Sequence, residues 1–353
     1  MTDGAAENAR GDAGHAAGDA AIRFERVAKR YAVGEQGPDA PAAVDELTLD
    51  VRAHEVLVLV GPSGCGKSTT LRMVNRLVEP TAGRVLLEGE DVSTVDPVEL
   101  RRRIGYVIQN VGLFPHRTVA QNVATVPRLL AWDKARTRTR VNELLELVGL
   151  APDRYAKRYP HELSGGERQR VGVARALATD PPVLLMDEPF GAVDPVGRRR
   201  LQDEFQRIQR ELGTTVMLVT HDIDEAVRMA DRVAVLSTGA HLEQLAPPLE
   251  IVANPATPAV ADLVGRGRTA RLLSLGRLER ADVTAPPPAN QDGGTAGVRL
   301  GDELAEVLDA LTRDSAQALP VRDGDAVIGS VDAEGVLRAL RRLGVVEEPA
   351  TRP

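Results

Sequence analysis

The amino-acid sequence predicts an α/β fold, with one large sheet-and-helix domain followed by a small second α/β unit. From residue 21 to about residue 254, short β-branched runs alternate with helical stretches, as in a mixed α/β domain. Between residues 111 and 159 the pattern becomes mainly helical, which predicts a helical subdomain inserted into the sheet domain. After residue 266, a proline cluster at 286–288 and the pair Gly293-Gly294 predict a flexible linker.

These changes along the chain predict four segments. Residues 1–20 are acidic and rich in Gly and Ala, which is typical of a disordered tail. We expect residues 21–265 to form the large domain, residues 266–300 a linker and residues 301–345 the small unit. In the small unit, the pattern predicts a helix, two strands joined by a tight turn and a second helix, at Asp302–Leu311, Ala318–Arg322, Ala326–Val331 and Ala333–Arg342.

Within the large domain, apolar runs bounded by proline or glycine predict strands, and periodic apolar positions predict helices. The predicted strands are Val56–Val60, Arg84–Glu88, Ile104–Gln109, Val183–Asp187, Thr215–Val219 and Arg232–Ser237. The predicted helices are Lys67–Val78, Val141–Val148, Glu167–Ala178 and Val196–Leu212.

Charge and composition exclude several classes of protein. The chain has 44 Lys and Arg against 51 Asp and Glu, a net charge of −7, whereas domains that coat nucleic acid usually carry a basic excess. A single cysteine, Cys65, excludes an intrachain disulfide. The apolar runs are far shorter than the roughly 18 residues that cross a bilayer, and the N-terminus lacks the features of a signal peptide. We therefore expect no nucleic-acid partner and a cytoplasmic protein that reaches a membrane only through another protein.

A glycine-rich loop follows the predicted strand Val56–Val60 and opens the next predicted helix; it reads Gly61-Pro62-Ser63-Gly64-Cys65-Gly66-Lys67-Ser68. Its glycines let backbone N–H groups surround phosphate, and the helix N-terminus adds a positive dipole end. Lys67 would contact the β- and γ-phosphates, and Ser68 would bind Mg²⁺. The order strand, loop, helix favours a nucleoside-triphosphate site over a glycine-rich turn that happens to precede a lysine.

Two adjacent carboxylates, Asp187 and Glu188, end the apolar strand Val183–Asp187. Carboxylates at the end of a buried strand are costly unless they face a metal site. Asp187 would face the Mg²⁺ at Ser68, and Glu188 would polarise the attacking water. The alternative, a solvated strand end, is less favoured beside a phosphate-binding loop.

A second candidate anion site opens the predicted helix that follows Leu163, with the residues Ser164-Gly165-Gly166-Glu167. One chain has no evident need for two phosphate sites. A dimer has such a need if the serine–glycine loop of one chain covers the nucleotide bound by the other. On its own, this stretch would be read as an ordinary serine N-cap.

Taken in order, these motifs resemble the ATP-binding-cassette (ABC) ATPases over nearly the whole of residues 22–254. The resemblance implies that Tyr31 stacks on adenine, that Gln109 senses Mg²⁺ and water, and that His221 lies near the γ-phosphate. The implied catalytic residues are Glu188, His221 and Gln109, and the implied Mg²⁺ ligands are Ser68, Gln109 and Asp187. The implied ATP contacts are Tyr31, Gly61, Pro62, Ser63, Gly64, Cys65, Gly66, Lys67, Ser68, Thr69, Ser164, Gly165, Gly166, Glu167 and Asp194.

Longer stretches, among them YPHELSGGERQRVGVARALATDPPVLLMDEPFGAVDP and VTHDIDEAVRMADRVAVL, resemble the ATPase subunits of osmoprotectant importers. The tail stretch ALPVRDGDAVIGSVDAEGVLRAL resembles half of a CBS motif, which these subunits carry after the cassette. The resemblance implies an ATPase that powers import of glycine betaine, choline or carnitine. It also implies a homodimer on the cytoplasmic side of the cell membrane, with permease subunits and an extracytoplasmic substrate-binding protein.

Several alternatives stay open at this point. The cargo could instead be an amino acid, a polyamine or a phosphonate, and a non-transport ABC ATPase is a further alternative. The chain has Val193 where the family usually has leucine, and it has room for about one CBS motif where the family often has two. A basic stretch after the cassette could face solvent or anionic lipid; it contains Arg266, Arg268, Arg271, Arg277 and Arg280.

Cys65 lies within the phosphate-binding loop, at a helix N-terminus and close to Lys67. Both neighbours favour a thiolate, and we expect an empty loop to be open to water. The sequence therefore predicts a reactive thiol, with a buried inert cysteine as the alternative.

Overall fold

The structure, a computed structural model, describes residues 20–31, 42–109, 111–191, 193–284, 297–313 and 316–344. The chain divides into two compact units. The first comprises Met1–Glu55 with Ser68–Met217, and the second comprises Val56–Lys67 with Leu218–Pro353. These units do not coincide with the four predicted segments, whose bounds stay a prediction. Residues 1–19 of the predicted tail and residues 285–296 of the predicted linker lie outside the described residues.

The bounds of the elements are as follows. The strands are β1 Ala20–Lys29, β2 Val44–Arg52, β3 Val56–Val60, β4 Ala82–Leu87, β5 Glu90–Asp91, β6 Ile104–Val107, β7 Val183–Asp187, β8 Thr215–Thr220, β9 Arg232–Ser237, β10 His241–Ala246, β11 Val298–Arg299, β12 Leu319–Asp323 and β13 Ala326–Val331. The helices are α1 Lys67–Val74, α2 Pro97–Arg103, α3 Val119–Val123, α4 Thr125–Leu129, α5 Lys134–Leu147, α6 Pro152–Tyr155, α7 Gly165–Ala176, α8 Pro195–Leu212, α9 Ile223–Met229, α10 Pro248–Ala253, α11 Pro258–Val264, α12 Arg268–Leu275, α13 Leu304–Arg313 and α14 Ala333–Arg342.

An antiparallel sheet in the first unit has the strand order β2-β1-β4-β5. The central strand β1 buries Ile22, Phe24 and Val27 and leaves charged side chains between them. Phe24 is paired with Leu49 on one side and Val85 on the other, so apolar residues meet across the sheet. β1 and β2 were not predicted, because half-buried strands with interleaved charges lack a continuous apolar run.

The first unit also contains the parallel pair β6 and β7, with Ile104 opposite Val183 and Val107 opposite Met186. Every residue of β7 is buried, as expected for a parallel strand covered on both faces. The carboxyl ends of parallel strands lie at the same edge of the sheet, so Gln109 and Glu188 follow these strands on one side. Between the two strands, the chain is mainly helical from α3 to α6, which confirms the predicted helical segment.

The second unit contains β3, which pairs in parallel with β9 from Leu57 opposite Arg232 to Val60 opposite Val235. β10 is antiparallel to β9. β3 and β9 have the predicted bounds, and β3 is entirely buried. β8 begins in the first unit and ends in the second. The predicted α/β class is confirmed.

Two helices differ from their predicted bounds by several residues, each for a local reason. α1 ends at Val74 rather than Val78, and Arg76 has a positive φ of 51°, which no α-helix accommodates. α5 begins at Lys134, well before the predicted start at Val141, because Asp133 accepts a bond from Arg136 N at 2.8 Å and caps the helix. The first two turns of α5 are polar, so they lack the periodic apolar positions from which a helix was predicted.

Near the C-terminus, β12 pairs in parallel with β11 and antiparallel with β13. α13 lies between β11 and β12 in the chain, and α14 follows β13. The predicted order of helix, strand, turn, strand and helix is confirmed. The predicted linker at 266–300 is not flexible throughout, because α12 forms within it at Arg268–Leu275.

Three arginines of the basic stretch, Arg268, Arg271 and Arg277, make intramolecular bonds, and Arg277 also remains exposed to solvent. Arg268 donates to Val252 O at 2.8 Å and to Gly344 O at 3.1 Å. Arg271 pairs with Asp224 of α9, and Arg277 with Glu303 at 3.0 Å. Among the described residues, no helix combines the length and apolarity needed to cross a membrane.

A buried carboxylate in the second unit gives a first prediction. Asp282 is 1% exposed and accepts bonds at 2.9 Å from Arg342 Nη2 and from Glu279 N. Removal of Asp282 leaves Glu279 N without its acceptor and leaves Arg342 with Glu279, at 2.6 Å, in place of two carboxylates. We expect Asp282→Ala to lower the free energy of unfolding by about 3 kcal/mol, measured by denaturant titration of the full chain.

The matched control is Glu334→Ala, which breaks an exposed pair with Arg341 at 3.0 Å. Exposed pairs contribute at most about 1 kcal/mol. Equal losses in the two variants would contradict the assignment of a buried, stabilising carboxylate to Asp282.

Candidate nucleotide site

The phosphate-binding loop lies between β3 and α1, and two of its glycines are required by geometry. A Cβ added at Gly61 would meet the carbonyl oxygen of Leu236 at 2.1 Å, so no larger residue fits there. Gly64 has a φ of +79°, in the left-handed region that favours glycine. Pro62, Ser63 and Gly64 are exposed at the top of the loop.

Lys67, the first residue of α1, is 5% exposed, and its side chain is folded back onto the loop. Its Nζ donates to Gly61 O at 2.7 Å and to Pro62 O at 2.8 Å. The ammonium group is therefore already satisfied by loop carbonyls. An arriving phosphate must offer it a stronger, charge-assisted bond.

Cys65 differs from the expectation for its thiol. The side chain is 2% exposed, and its Sγ lies 3.7 Å from Lys67 Nζ. Cys65 O also accepts from Ala240 N at 2.6 Å, which connects the loop to the residue that directly precedes β10. The prediction that this thiol is open to water is wrong, because the loop turns the side chain inward.

Ser68 and Asp187, predicted as metal ligands, lie together in the first unit. Ser68 Oγ donates to Asp187 Oδ1 at 2.8 Å, and Arg72 Nη2 donates to Asp187 Oδ2 at 3.2 Å. Asp187 is 3% exposed, and these two bonds satisfy both oxygens of its buried carboxylate. Burial and the negative charge of Asp187 raise the pKa of Tyr106 on the neighbouring strand β6. Arg72 was not predicted as a site residue, because its only signal in the sequence is its position one turn after Ser68 on α1.

The donor set around Asp187 fits Mg²⁺. A serine hydroxyl and a carboxylate are hard oxygen donors, and Mg²⁺ in nucleotide sites takes one or two such protein ligands together with phosphates and water. Ser68 and Asp187 already lie at hydrogen-bonding distance, so one small ion could be held by both.

Gln109 and Glu188, predicted as catalytic residues, are brought together in the first unit. Gln109 Nε2 donates to Glu188 Oε2 at 3.0 Å. Gln109 is exposed and Glu188 is half-buried. Glu188 has a φ of +45°, a strained conformation for a residue other than glycine, and such strain clusters at functional sites.

Ser164 is the N-cap of α7 and forms a capping box with Glu167. Ser164 Oγ accepts from Glu167 N at 3.3 Å, and Glu167 Oε2 accepts from Ser164 N at 2.7 Å. Tyr155 O–H donates to Glu167 Oε1 at 2.7 Å. The bonds from the Ser164 backbone N–H and from Tyr155 lower the pKa of Glu167.

Because both carboxylate oxygens of Glu167 are bonded within the chain, this residue shapes the start of α7. Its predicted contact with nucleotide stays a prediction, as do those of Gly165 and Gly166. Tyr155 was not predicted as a partner of Glu167, because it lies before the loop that precedes α7 and no sequence spacing connects the two residues.

The other predicted site residues occupy element ends within their units. The Tyr31 ring is 44% exposed, with Lys29 Nζ at 5.1 Å from its centroid. Asp194 is the N-cap of α8 and accepts from Gly197 N at 2.9 Å. His221 is exposed directly after β8, and Thr69 is half-buried in α1. Their roles toward nucleotide stay predictions.

Comparisons with known proteins agree with this geometry. A family model described as ABC transporter matches residues 44–191. The glycine betaine/carnitine/choline transport ATP-binding protein OpuCA of Bacillus subtilis is 42% identical over 327 residues, which cover 92% of this chain and 82% of that protein. The spermidine/putrescine import ATP-binding protein PotA of Acidothermus cellulolyticus is 51% identical over 241 residues, 68% of this chain and 61% of that protein.

A solved dimer of an ATP-binding cassette in a post-hydrolysis state, bound to ADP and Pi, aligns with a TM-score of 0.58 and 33% identity. The alignment covers 64% of this chain and 98% of that chain.

The capping box gives a pH-dependent prediction. The Tyr155 bond favours the ionised form of Glu167 and helps to lower its pKa, so its stabilisation is present above the ordinary glutamate pKa. It is lost as the pH falls through the lowered pKa of the folded state. We expect Tyr155→Phe to lower the thermal midpoint at pH 7, and we expect this deficit to shrink at acid pH.

Thermal unfolding at pH 7 and at the lowest pH that keeps the chain folded measures this effect. Tyr159→Phe is the control, because that exposed ring stacks on His161 with 5.8 Å between centroids. A deficit in Tyr155→Phe that does not change with pH would exclude the bond to ionised Glu167.

Proposed function

This chain belongs to the ABC transporter family, and we propose that it hydrolyses ATP to drive import of a quaternary-amine osmoprotectant such as glycine betaine, choline or carnitine. The observation that carries the choice of cargo is the extent of the similarity to OpuCA. The 327 aligned residues are more than residues 1–265 contain, so the similarity includes the C-terminal tail. We propose that this tail, after a linker, is the CBS-like half-motif that the sequence predicts.

Polyamine import is the second candidate, favoured by the 51% identity to PotA. That alignment covers 241 residues, a length that the predicted cassette alone accommodates. Similarity over a cassette alone indicates a shared ATPase, and importers of different solutes have that ATPase in common. It therefore supports the cargo less strongly than similarity that includes the tail.

ATP would be held by the residues of the phosphate-binding loop, with adenine stacked on Tyr31. Lys67 would leave the carbonyls of Gly61 and Pro62 for the β- and γ-phosphates. Ser68, Asp187 and Gln109 would hold Mg²⁺. When bound, this ion supplies positive charge that offsets the phosphate charge in the transition state.

Glu188 would take a proton from the attacking water while the water oxygen bonds to the γ-phosphorus. The bond from that phosphorus to the β-phosphate oxygen then breaks, and ADP and phosphate leave. The amide of Gln109 orients the Glu188 carboxylate through their 3.0 Å bond. His221 would position the water, and Asp194 would order the loop before α8.

A homodimer would complete the site. The N-terminus of α7 at Ser164 offers N–H groups and a positive dipole end to the γ-phosphate of the nucleotide on the other chain. The dimeric state of the related cassette bound to ADP and Pi supports this arrangement. We propose that the dimer works at the cytoplasmic face of the membrane with transmembrane permease subunits and a substrate-binding protein.

The proposed catalytic role predicts the behaviour of Glu188→Gln. An amide cannot take the proton, so we expect ATP hydrolysis to fall by about 10²-fold or more while ATP binding persists. The variant should accumulate as an ATP-bound dimer in sedimentation velocity. Glu99→Gln, an exposed change on α2, is the control. Near-normal turnover, or only monomers with ATP, would exclude the role.

The proposed cargo is tested by uptake at high osmolarity. Cells that lack this chain should lose uptake of radiolabelled glycine betaine, choline or carnitine, and the wild-type chain, but not Glu188→Gln, should restore it. Spermidine uptake is measured in parallel. Loss of spermidine uptake alone would favour the second candidate, and intact uptake of all four in a strain without redundant importers would reject both.

A further inference from the structure

The helix α7 contacts the chain segment that follows Gln109. Arg175, in the last turn of α7, donates from Nη2 to Val111 O at 2.6 Å and from Nη1 to Gly112 O at 2.7 Å. One guanidinium thus bonds two successive carbonyl groups of this segment. Such paired bonding uses the fixed fork of arginine, which lysine cannot reproduce.

The segment bonded by Arg175 has an unfavourable backbone. Val111 has a φ of +48° and Gly112 a φ of +55°. A β-branched residue in the left-handed region is strained, at a cost of about 1–3 kcal/mol. Such a conformation persists only when its surroundings hold it, and the two bonds from Arg175 do so.

A second residue of α7 holds the same segment by shape. Gly172 lies one turn before Arg175, and a Cβ added there would lie 2.5 Å from Val111 Cγ1. The Val111 side chain is buried against this glycine, which leaves just enough room for it. Glycine inside a helix costs about 1 kcal/mol relative to alanine, so its presence here reflects the close packing.

The position of Arg175 is electrostatically costly as well. Burial lowers the pKa of the Arg175 guanidinium. Both of the bonds described above are made to neutral carbonyl oxygens, which compensate a buried cation less fully than a carboxylate does.

We propose that Gly172 and Arg175 position the Gln109 amide against the Glu188 carboxylate. Val111 is two residues from Gln109, so a shift of its backbone moves the amide that donates to Glu188 at 3.0 Å. Arg175 is a positioning residue, because it acts through Val111 and Gly112. The inference rests on the proposed function, in which Glu188 activates water.

The first arm of the test measures steady-state ATP hydrolysis by the full chain with Gly172→Ala, Arg175→Ala or Arg175→Lys. We expect kcat to fall by about tenfold to a hundredfold, with KM for ATP changed by less than about twofold. This split is expected because Lys67 and Tyr31, which would bind ATP, are left intact. Arg175→Lys should retain more activity than Arg175→Ala.

The second arm is a rescue designed from the packing distances. The added Cβ in Gly172→Ala collides with Val111 Cγ1 at 2.5 Å but lies 3.8 Å from Val111 Cβ, an ordinary contact. The double variant Gly172→Ala with Val111→Ala removes Cγ1 and should recover kcat to within about threefold of wild type. Val111→Ala alone loses this packing but keeps both Arg175 bonds to backbone carbonyls, so we expect its kcat to fall by less than about threefold, less than in Gly172→Ala.

Arg140→Ala is the matched control for loss of a guanidinium. Arg140 donates to Leu177 O at 3.3 Å and to Ala178 O at 3.4 Å, directly after the C-terminal end of α7, and it pairs with Asp180. We expect it to lower the thermal midpoint without changing kcat. All variants are compared by thermal unfolding, and if Arg175→Ala does not fold, Gly172→Ala and Arg175→Lys carry the test.

Two outcomes would overturn the proposal: wild-type kcat in folded Gly172→Ala and Arg175→Lys, or a Gly172→Ala defect that Val111→Ala does not relieve. Failure of the proposed function is separate, because it would appear as hydrolysis that is absent in the wild type or unaffected in Glu188→Gln.

Discussion

A carboxylate at the end of a fully buried strand is the constraint on which the arrangement of the first unit depends. Asp187 follows four apolar residues of β7, and an ionised group in such surroundings is strongly destabilising unless it is paired and hydrogen-bonded. α1 supplies both partners, Ser68 and Arg72, one turn apart. The helix that begins at the phosphate-binding loop is therefore anchored to β7 through the group that is proposed to hold Mg²⁺. Cohesion of the unit and the chemistry of the site rest on the same side chains.

How far the fold was predictable depended on how each element buries its residues. β3, β7 and β9 were predicted to the residue, because strands buried on both faces are continuous apolar runs. β1 and β2 were not predicted, because charged residues on one face of each strand interrupt the apolar run. α12 was missed because its arginines indicate solvent when read alone, whereas their bonds reach residues far along the chain.

The candidate site was predictable where position in a motif decides geometry. Gln109 meets Glu188 because the segments that follow the parallel pair β6 and β7 converge at one edge. Ser68 meets Asp187, as expected from their places after the phosphate-binding lysine and at the end of an apolar strand. Contacts between distant segments left no spacing signal, and this is why Tyr155 and Arg175 were not identified. The prediction for Cys65 failed because the direction of a side chain in a loop follows from backbone angles that sequence reasoning did not supply.

Arginine bonded to backbone carbonyls recurs through the fold and gives its basic residues a structural use. Arg101 donates to Asn75 O, Arg268 to Val252 O and Arg175 to Val111 O. Each bond satisfies a carbonyl at a helix end or in a loop, where no regular partner exists. The planar guanidinium suits this task better than an ammonium group, in keeping with a chain in which only four of 44 basic residues are lysine.

α7 carries contacts to two parts of the proposed site, one at each end of the helix. Its first turn carries the capping box of Ser164, and its last turn holds the backbone after Gln109. Gln169 lies between them, one turn before Gly172; it is buried, and neither atom of its side-chain amide has a hydrogen-bond partner within the described residues. An unsatisfied buried amide costs about 1–3 kcal/mol, so this helix face is not optimised for stability alone. Because a short helix moves as a body, a displacement at Ser164 would be transmitted to Val111, and α7 would link the nucleotide of one proposed partner chain to the Gln109–Glu188 pair of the other.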